Sequence, residues 1–109
     1  MAALSTTVTP LTGGTVTYAA ADAAGDTCQT GAGVLLLVKN DDTVDHAVTL
    51  VTPGTVNGLA IADRQVTVTA GTQVGIPVTH DYRDPASGRA AITYDAVTSV
   101  SVAVVRVPV

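Results

Sequence analysis

The 109-residue chain contains no Phe and no Trp, and its only aromatic residues are three tyrosines. Its hydrophobic residues make up 47% of the chain and are largely Val and Ala. Such small side chains suit pleated sheets, but each buries less apolar area than an aromatic ring. We therefore expect one domain with a single core, of modest intrinsic stability unless a partner covers part of its surface.

Charged residues are also scarce, at 13% of the chain. All nine acidic residues are Asp, and the net charge is −4. The five cations are scattered along the sequence, at Lys39, Arg64, Arg83, Arg89 and Arg106. Because nucleic-acid binding depends on clustered Lys and Arg, we expect no nucleic-acid partner.

Cysteine occurs once, at Cys28. A single cysteine cannot form an intramolecular disulfide or a Cys-based zinc site, so Cys28 is interpreted as a small filler residue in a turn. A nucleophilic role would need a positioned base, and neither His46 nor His80 lies in a supporting motif. Both histidines are interpreted as surface residues at the edges of loops.

No motif indicates catalysis or a cofactor. The serines lie outside any G-x-S-x-G elbow, and the phosphate-binding and dinucleotide fingerprints are absent. The aspartates around turns lack the spacing of a calcium-binding loop, and turn or solvation roles suit them better. We therefore expect neither an enzyme nor a cofactor or metal site.

The N-terminus lacks a basic start followed by a continuous apolar core, so it does not predict a secretory signal. No segment approaches the roughly 20 apolar residues that a membrane-spanning helix needs. We expect the chain to be cytosolic when made and to have no membrane partner.

Residues 33–40, GVLLLVKN, form the stretch around which we place the other strands. A short apolar run bounded by turn residues predicts a central strand buried on both faces. The turn at residues 40–42 and the alternation that follows predict a hairpin between residues 34–39 and 45–51.

The other strands alternate apolar residues with Thr, most cleanly at residues 65–69. Pro77 predicts an edge strand or a bulge. Val105 interrupts the final alternation and indicates a bulge. Residues 55–64 are interpreted as a loop packed onto the core.

The count is seven or eight short antiparallel strands without a convincing helix. This pattern predicts an all-β, single-domain β-sandwich or jelly roll, and it does not separate the two. Residues 1–14, interrupted by Pro10 and Gly13-Gly14, predict an extended N-terminal arm ahead of a domain at residues 15–109. Such an arm is either a frayed terminus or a segment that lies on a neighbouring subunit.

The order of motifs resembles a known group. The first motif, AAADAAGDTCQTG, leads into GVLLLVKN. Four more follow in order: VTPGTVNGLAIADR, QVTVTAGTQVGIPV, DYRDPASGRAAITYD and SVSVAVVRV. Over residues 19–107 this order is similar to the small head proteins of tailed bacteriophages, particularly those of actinobacterial hosts. The shared features are patterns of composition and order, and no reactive residue is among them.

The resemblance implies a capsid decoration, or cement, protein on the outer surface of a phage head. Its implied partners are the major capsid protein and copies of itself, with a trimer favoured, and its implied location is the virion surface after assembly in the host cytoplasm. The alternatives are a carbohydrate- or receptor-binding Ig-like module displayed on the virion, and a small tail or head–tail accessory protein.

Contact with a shell is expected from the arm and from the loops at residues 40–44 and 79–88. The candidate interface residues are Leu4, Val8, Pro10, Leu11, Asp41, Asp42, Tyr82 and Arg83.

Overall fold

The computed structural model describes residues 2–9, 13–14 and 16–107. Two sheets pack against each other around one hydrophobic core, and a small separate hairpin projects from them. The predicted all-β, single-domain sandwich is confirmed.

The first sheet contains five strands. In spatial order they are β1 (Ala2–Ala3), β4 (Asp26–Cys28), β11 (Ala90–Tyr94), β6 (His46–Leu50) and β9 (Arg64–Val68). β1 runs parallel to β4, and the other neighbours in this sheet are antiparallel.

The second sheet also contains five strands. They are β10 (Gln73–Pro77), β5 (Val34–Asn40), β12 (Val100–Arg106) and β2 (Thr6–Val8), with β3 (Ala19–Ala20) beside β2 on the same edge of β12. β2 is parallel to β12, so the expectation of purely antiparallel strands is wrong for β1 and β2. The position of Pro77 in the edge strand β10 is as predicted.

Two further short strands, β7 (Thr55–Val56) and β8 (Leu59–Ala60), pair with each other as a separate two-stranded sheet. A 3-10 turn, His80–Tyr82, interrupts the loop that follows β10. Among the described residues, eight strands have three or more residues, which agrees with the predicted seven or eight. The remaining four are two-residue pieces, too short to give a pattern in sequence.

β5 is central, as predicted, because it lies between β10 and β12 and pairs with both along its length. Only one of its faces is fully buried, however. Leu36 and Val38 point into the core and are inaccessible, whereas Leu35 and Leu37 on the opposite face are partly exposed. The expectation of burial on both faces is therefore wrong, because the sandwich has two layers and no third layer among the described residues covers this face.

The predicted hairpin between β5 and the following strand is also wrong. β5 and β6 belong to different sheets, and the intervening turn crosses from one layer to the other. Asn40 holds this crossing: its buried amide donates to the carbonyls of Val44 at 2.9 Å and Val68 at 3.0 Å. Side-chain bonds to backbone replace the ladder that a hairpin would have formed.

β12 contains no bulge, contrary to expectation. It pairs with β5 without a break from Val100 opposite Asn40 to Arg106 opposite Val34. Val105 interrupts the apolar alternation because the outer face of β12 is itself apolar: Ala103 and Val105 are each 6% exposed there.

Residues 55–64 do not pack onto the core as expected. They begin with the β7–β8 hairpin, whose turn residues Asn57 and Gly58 have φ angles of 52° and 77°. Two left-handed residues in succession make the tight turn that Asn-Gly favours. The hairpin carries Leu59 at 72% exposure, so its apolar residues face outward.

The N-terminal segment is extended, as predicted, but its strands β1 and β2 pair with the two sheets of its own chain. Residues 2–8 are thus part of the sandwich and do not form an arm separate from a domain that starts at residue 15. Parallel pairing with β4 and then β12 requires contacts far apart in sequence, which no local pattern in this segment indicates. Pro10 and Leu11, two of the candidate interface residues, lie outside the described residues.

Candidate functional surfaces

The outer face of the second sheet is apolar. Strand register places two rows of residues side by side across β10, β5 and β12 on this face. The rows are Gly75–Leu37–Ala103 and Pro77–Leu35–Val105. We call these six residues the apolar patch. Leu37 leans over Gly75, since its Cδ2 lies 3.4 Å from the position that a Cβ of residue 75 would occupy.

A polar row ends the apolar patch on one side, where Gln73, Lys39 and Ser101 lie opposite one another. Tyr18 reaches over this row: its hydroxyl donates to Gln73 Oε1 at 2.9 Å, and the Lys39 ammonium lies 5.9 Å from its ring centroid. The cation–π contact with Lys39 and the hydrogen bond to Gln73 hold Tyr18 at the edge of the apolar patch.

The outer face of the first sheet is chemically different. Its rows are built from Thr, Ala and Gln, among them Thr93–Thr49–Gln65 and the pair Ala47–Thr67. Hydroxyl and amide groups suit a face left in water. The two outer faces of this sandwich therefore differ, one apolar and one polar.

A second apolar surface lies on the β7–β8 hairpin and the residue that follows it. Val56 is 60% exposed, Leu59 72% and Ile61 41%. Neighbouring exposed apolar side chains on a projecting hairpin form a contact surface of the kind that protein interfaces use.

The two ends of the sandwich differ in charge. Register places four of the five cations, Arg64, Arg83, Arg89 and Arg106, at the end where β5 begins. We call this the basic end. At the opposite, acidic end lie Asp22, Asp41, Asp42, Asp45 and Asp95.

The candidate interface residues within the described part of the chain do not form one surface. Tyr82 and Arg83 lie near the basic end, where the last residue of β2, Val8, pairs with Arg106 and is 59% exposed. Asp41 and Asp42 lie at the acidic end.

Leu4 packs against the core, and its amide donates to the Thr27 carbonyl. Tyr82 is partly buried against the core.

His46 is buried, which corrects its interpretation as a surface residue. Its Nε2 lies 2.9 Å from Asp42 Oδ2 and its Nδ1 lies 3.1 Å from Asp95 Oδ1. The hydrogen bond to Asp42 raises the pKa of His46 despite the opposing effect of burial. Both ring nitrogens are occupied by carboxylates, so this imidazole is a structural tie between the loops at residues 41–45 and 95–99.

A second buried polar pair lies between β4 and β11. Asp26 is inaccessible to solvent, and the Tyr94 hydroxyl donates to its Oδ2 at 2.6 Å. Burial, reinforced by the adjacent Asp26 carboxyl, raises the pKa of the Tyr94 phenol. No signal in the sequence near Asp26 indicated a buried carboxyl.

Cys28 belongs to β4 and not to a turn as expected, and it is inaccessible. Burial raises the pKa of its thiol to about 11. A thiol that is both buried and protonated at neutral pH is a packing group and a poor nucleophile.

Two neighbouring clefts open near the basic end. The larger, about 790 Å³, lies between the segment after the β7–β8 hairpin and the 3-10 turn, and is lined by Tyr82 together with Asp63, Asp81 and Gln65. The other, about 590 Å³, lies between the loop at residues 29–32 and the side chains of His80, Arg83 and Arg106.

Within the described residues no group of three or more His, Cys or Asp side chains is arranged to hold a metal ion. The same residues include no helix long and apolar enough to cross a membrane. No family model, curated protein or solved structure matches the chain.

Proposed function

We propose that this protein is a structural virion protein, a capsid decoration protein that binds the outer surface of a tailed-phage head and reinforces contacts between capsomers. The observation that carries the proposal is the difference between the two outer faces of the sandwich. A decoration protein needs one face that a neighbour covers and another that tolerates water.

The apolar patch supplies the first face. On this face Gly75 and Pro77 are exposed and Leu35 and Leu37 are partly exposed, whereas Ala103 and Val105 are largely buried, so the accessible part of the apolar patch lies on β10 and β5. Exposed apolar residues that lie side by side on a sheet form a surface of the kind that a partner protein covers. The threonine-rich outer face of the first sheet supplies the second face, the one that stays in contact with water.

The motif order over residues 19–107 supports the same proposal, because it resembles small phage head proteins. The titratable residues support it too. His46 joins the loops at residues 41–45 and 95–99, Asp26 joins β4 to β11 within the first sheet, and Cys28 is buried in the core, as expected of groups with a structural role.

The test is co-sedimentation of the purified protein with phage heads that lack it, followed by imaging of the pelleted particles. We expect saturable binding at regular surface positions. A monomeric protein that leaves heads undecorated would overturn the proposal.

Variants of the two faces locate the contact. Pro77→Asp and Leu37→Asp place a carboxylate in the apolar patch, and Thr67→Asp places the same group in a strand of the opposite face. We expect Pro77→Asp and Leu37→Asp to lose binding and Thr67→Asp to retain it. Circular dichroism and thermal unfolding of each variant separate lost contact from lost folding, and Pro77, which is exposed at a sheet edge, is the safer of the two patch sites.

A carbohydrate-binding module displayed on the virion is the second candidate. It is favoured by Tyr82, whose ring lines the larger cleft beside the hydrogen-bonding side chains of Asp81 and Gln65. An aromatic face next to polar groups is a common arrangement for holding a sugar ring.

A glycan array tests this candidate. Binding that disappears in Tyr82→Ala and persists in Tyr18→Ala would support a sugar site in the larger cleft. Absence of glycan binding by the unmodified protein would eliminate it.

A further inference from the structure

We propose that the smaller cleft at the basic end binds an oxyanion, a phosphate or carboxylate group, between Arg83 and Arg106. Both guanidinium groups line this cleft of about 590 Å³, although they are 23 residues apart in a chain of net charge −4. The inference concerns a site separate from the apolar patch and does not depend on capsid binding.

The two arginines are unpaired within the described part of the chain. The ion pairs there involve Lys39 and His46, and neither Arg83 nor Arg106 has a carboxylate partner. The guanidinium of Arg89, in contrast, donates hydrogen bonds to Thr27 and to the Leu4 carbonyl. Arg83 and Arg106 are therefore the basic groups of the cleft left to bind a ligand.

The aspartates nearest this end do not line the cleft. Each carboxylate at this end accepts a local hydrogen bond: Asp63 from the Thr52 amide, Asp81 from the Thr79 hydroxyl and Asp84 from the Ala86 amide. None of the three lines the cleft.

Fixed backbone holds the two arginines in place. Arg106 ends β12, where its carbonyl accepts from the Thr9 amide, and it pairs with Val34 of β5. Arg83 bridges to Ala90, and its guanidinium lies over Gly88, with Nη2 3.7 Å from the position a Cβ would take there. A planar guanidinium offers paired donors that match the two oxygens of a carboxylate or phosphate.

His80 completes the wall of the cleft. Its Nδ1 lies 3.0 Å from the Thr30 hydroxyl, and the other edge of its ring lies against Gly31, with Nε2 3.5 Å from the position of an added Cβ. The hydrogen bond sets the orientation of the ring, so His80 adds a third polar group between the loop at residues 29–32 and the arginines.

Charge and size limit the ligand. An extended nucleic acid is disfavoured, because its many phosphates need many cations. The acidic end of the sandwich, with its five aspartates, would repel the rest of such a ligand. A small oxyanion, or one carboxylate or phosphate group presented by a partner molecule, fits two guanidinium groups.

The experiment is a titration of the full chain with inorganic pyrophosphate at low ionic strength, followed by calorimetry and by amide chemical shifts. We expect saturable binding, with the largest shifts at residues 29–33, 83 and 106. Arg83→Gln and Arg106→Gln should each weaken it about tenfold or more, since each removes a charge-assisted pair of hydrogen bonds. Arg64→Gln, which removes an exposed arginine at the same end but outside this cleft, is the matched control and should bind as the unmodified protein does.

Sedimentation with and without pyrophosphate distinguishes the two sources of the oxyanion. Self-association that pyrophosphate and Arg83→Gln both abolish would assign the site to a carboxylate of a second copy. A monomer throughout, with pyrophosphate bound, would assign it to a free anion. No saturable binding, or equal affinity in all three arginine variants, would overturn the proposal.

Discussion

The guanidinium of Arg89 donates to the carbonyl of Leu4 at 2.8 Å, and this contact joins residues 85 positions apart. The same side chain donates to the hydroxyl and carbonyl of Thr27 in the neighbouring strand. Arg89 thus fastens the N-terminal segment to β4, and the segment becomes part of both sheets. This contact adds to the two-residue parallel ladder of β1 and to the hydrogen bond from the Leu4 amide to the Thr27 carbonyl.

Replacing Arg89 with Met should loosen the N-terminal segment and lower the free energy of unfolding by about 1–3 kcal/mol, because partly buried acceptors lose a charged donor. Hydrogen exchange followed by mass spectrometry should show faster exchange at residues 2–8 than elsewhere. Arg64→Met, a change at an exposed residue of the same end, should alter neither quantity. Unchanged exchange in Arg89→Met would contradict the role assigned to this side chain.

His46 should make stability depend on pH. Its pKa is raised above the ordinary 6.5 by the hydrogen bond to Asp42, so its contribution is full below 6.5 and is lost as pH rises through the higher, folded-state pKa. The pKa of Asp42 is lowered from 3.8 by the same bond, and its contribution is lost as pH falls below that value. The pair therefore stabilises the fold most between about pH 3.8 and 6.5.

Denaturant unfolding between pH 5 and 9 measures this effect. The unmodified protein should lose stability as pH rises, and His46→Gln should lose most of that slope. His80→Gln, which removes an exposed histidine, should keep it. An identical pH profile in His46→Gln and the unmodified protein would contradict the prediction.

Tyr94→Phe should lower the free energy of unfolding by about 1–3 kcal/mol, because it leaves the buried carboxyl of Asp26 without its 2.6 Å donor. The matched control is Tyr18→Phe, which removes an exposed hydroxyl bonded to Gln73 and should cost less than about 0.5 kcal/mol. Urea unfolding monitored by circular dichroism gives both values. Equal costs for the two changes would argue against the buried pair as a source of stability.

Cys28 should not react with a thiol reagent while the protein is folded. Its side chain is inaccessible, and burial raises the pKa of the thiol to about 11. We expect negligible labelling by an aromatic disulfide at neutral pH and complete labelling of one thiol in guanidinium chloride. Rapid labelling of the native protein would show that β4 opens easily.

Local pattern predicted β9 from its alternation and β5 from its short apolar run. The segment at residues 65–69 became β9, shifted by one residue, and residues 33–40 contain the central strand β5. Period-2 alternation is a property of the chain itself, since successive side chains of a strand point to opposite faces. Pro77 was placed on an edge for a similarly local reason, its missing donor.

The errors share a different cause. The hairpin after β5 failed because the Asn40 amide finds its acceptors at Val44 and Val68, and one of these lies 28 positions away. The surface interpretation of His46 failed because Asp95, 49 positions later, supplies half of its surroundings. Neither partner can be identified from the residues beside Asn40 or His46.

The sequence by itself determined that this chain makes a small-residue β-domain, because its Val, Ala and Thr alternate and it lacks Phe and Trp. Tertiary structure alone decided which strands are neighbours. That choice set Leu35 and Leu37 beside Ala103 and Val105 in one apolar patch, and it brought scattered arginines to one end. Strand pairing depends on contacts between residues distant in sequence, so a local pattern specifies the faces of each strand but not the neighbours that those faces meet.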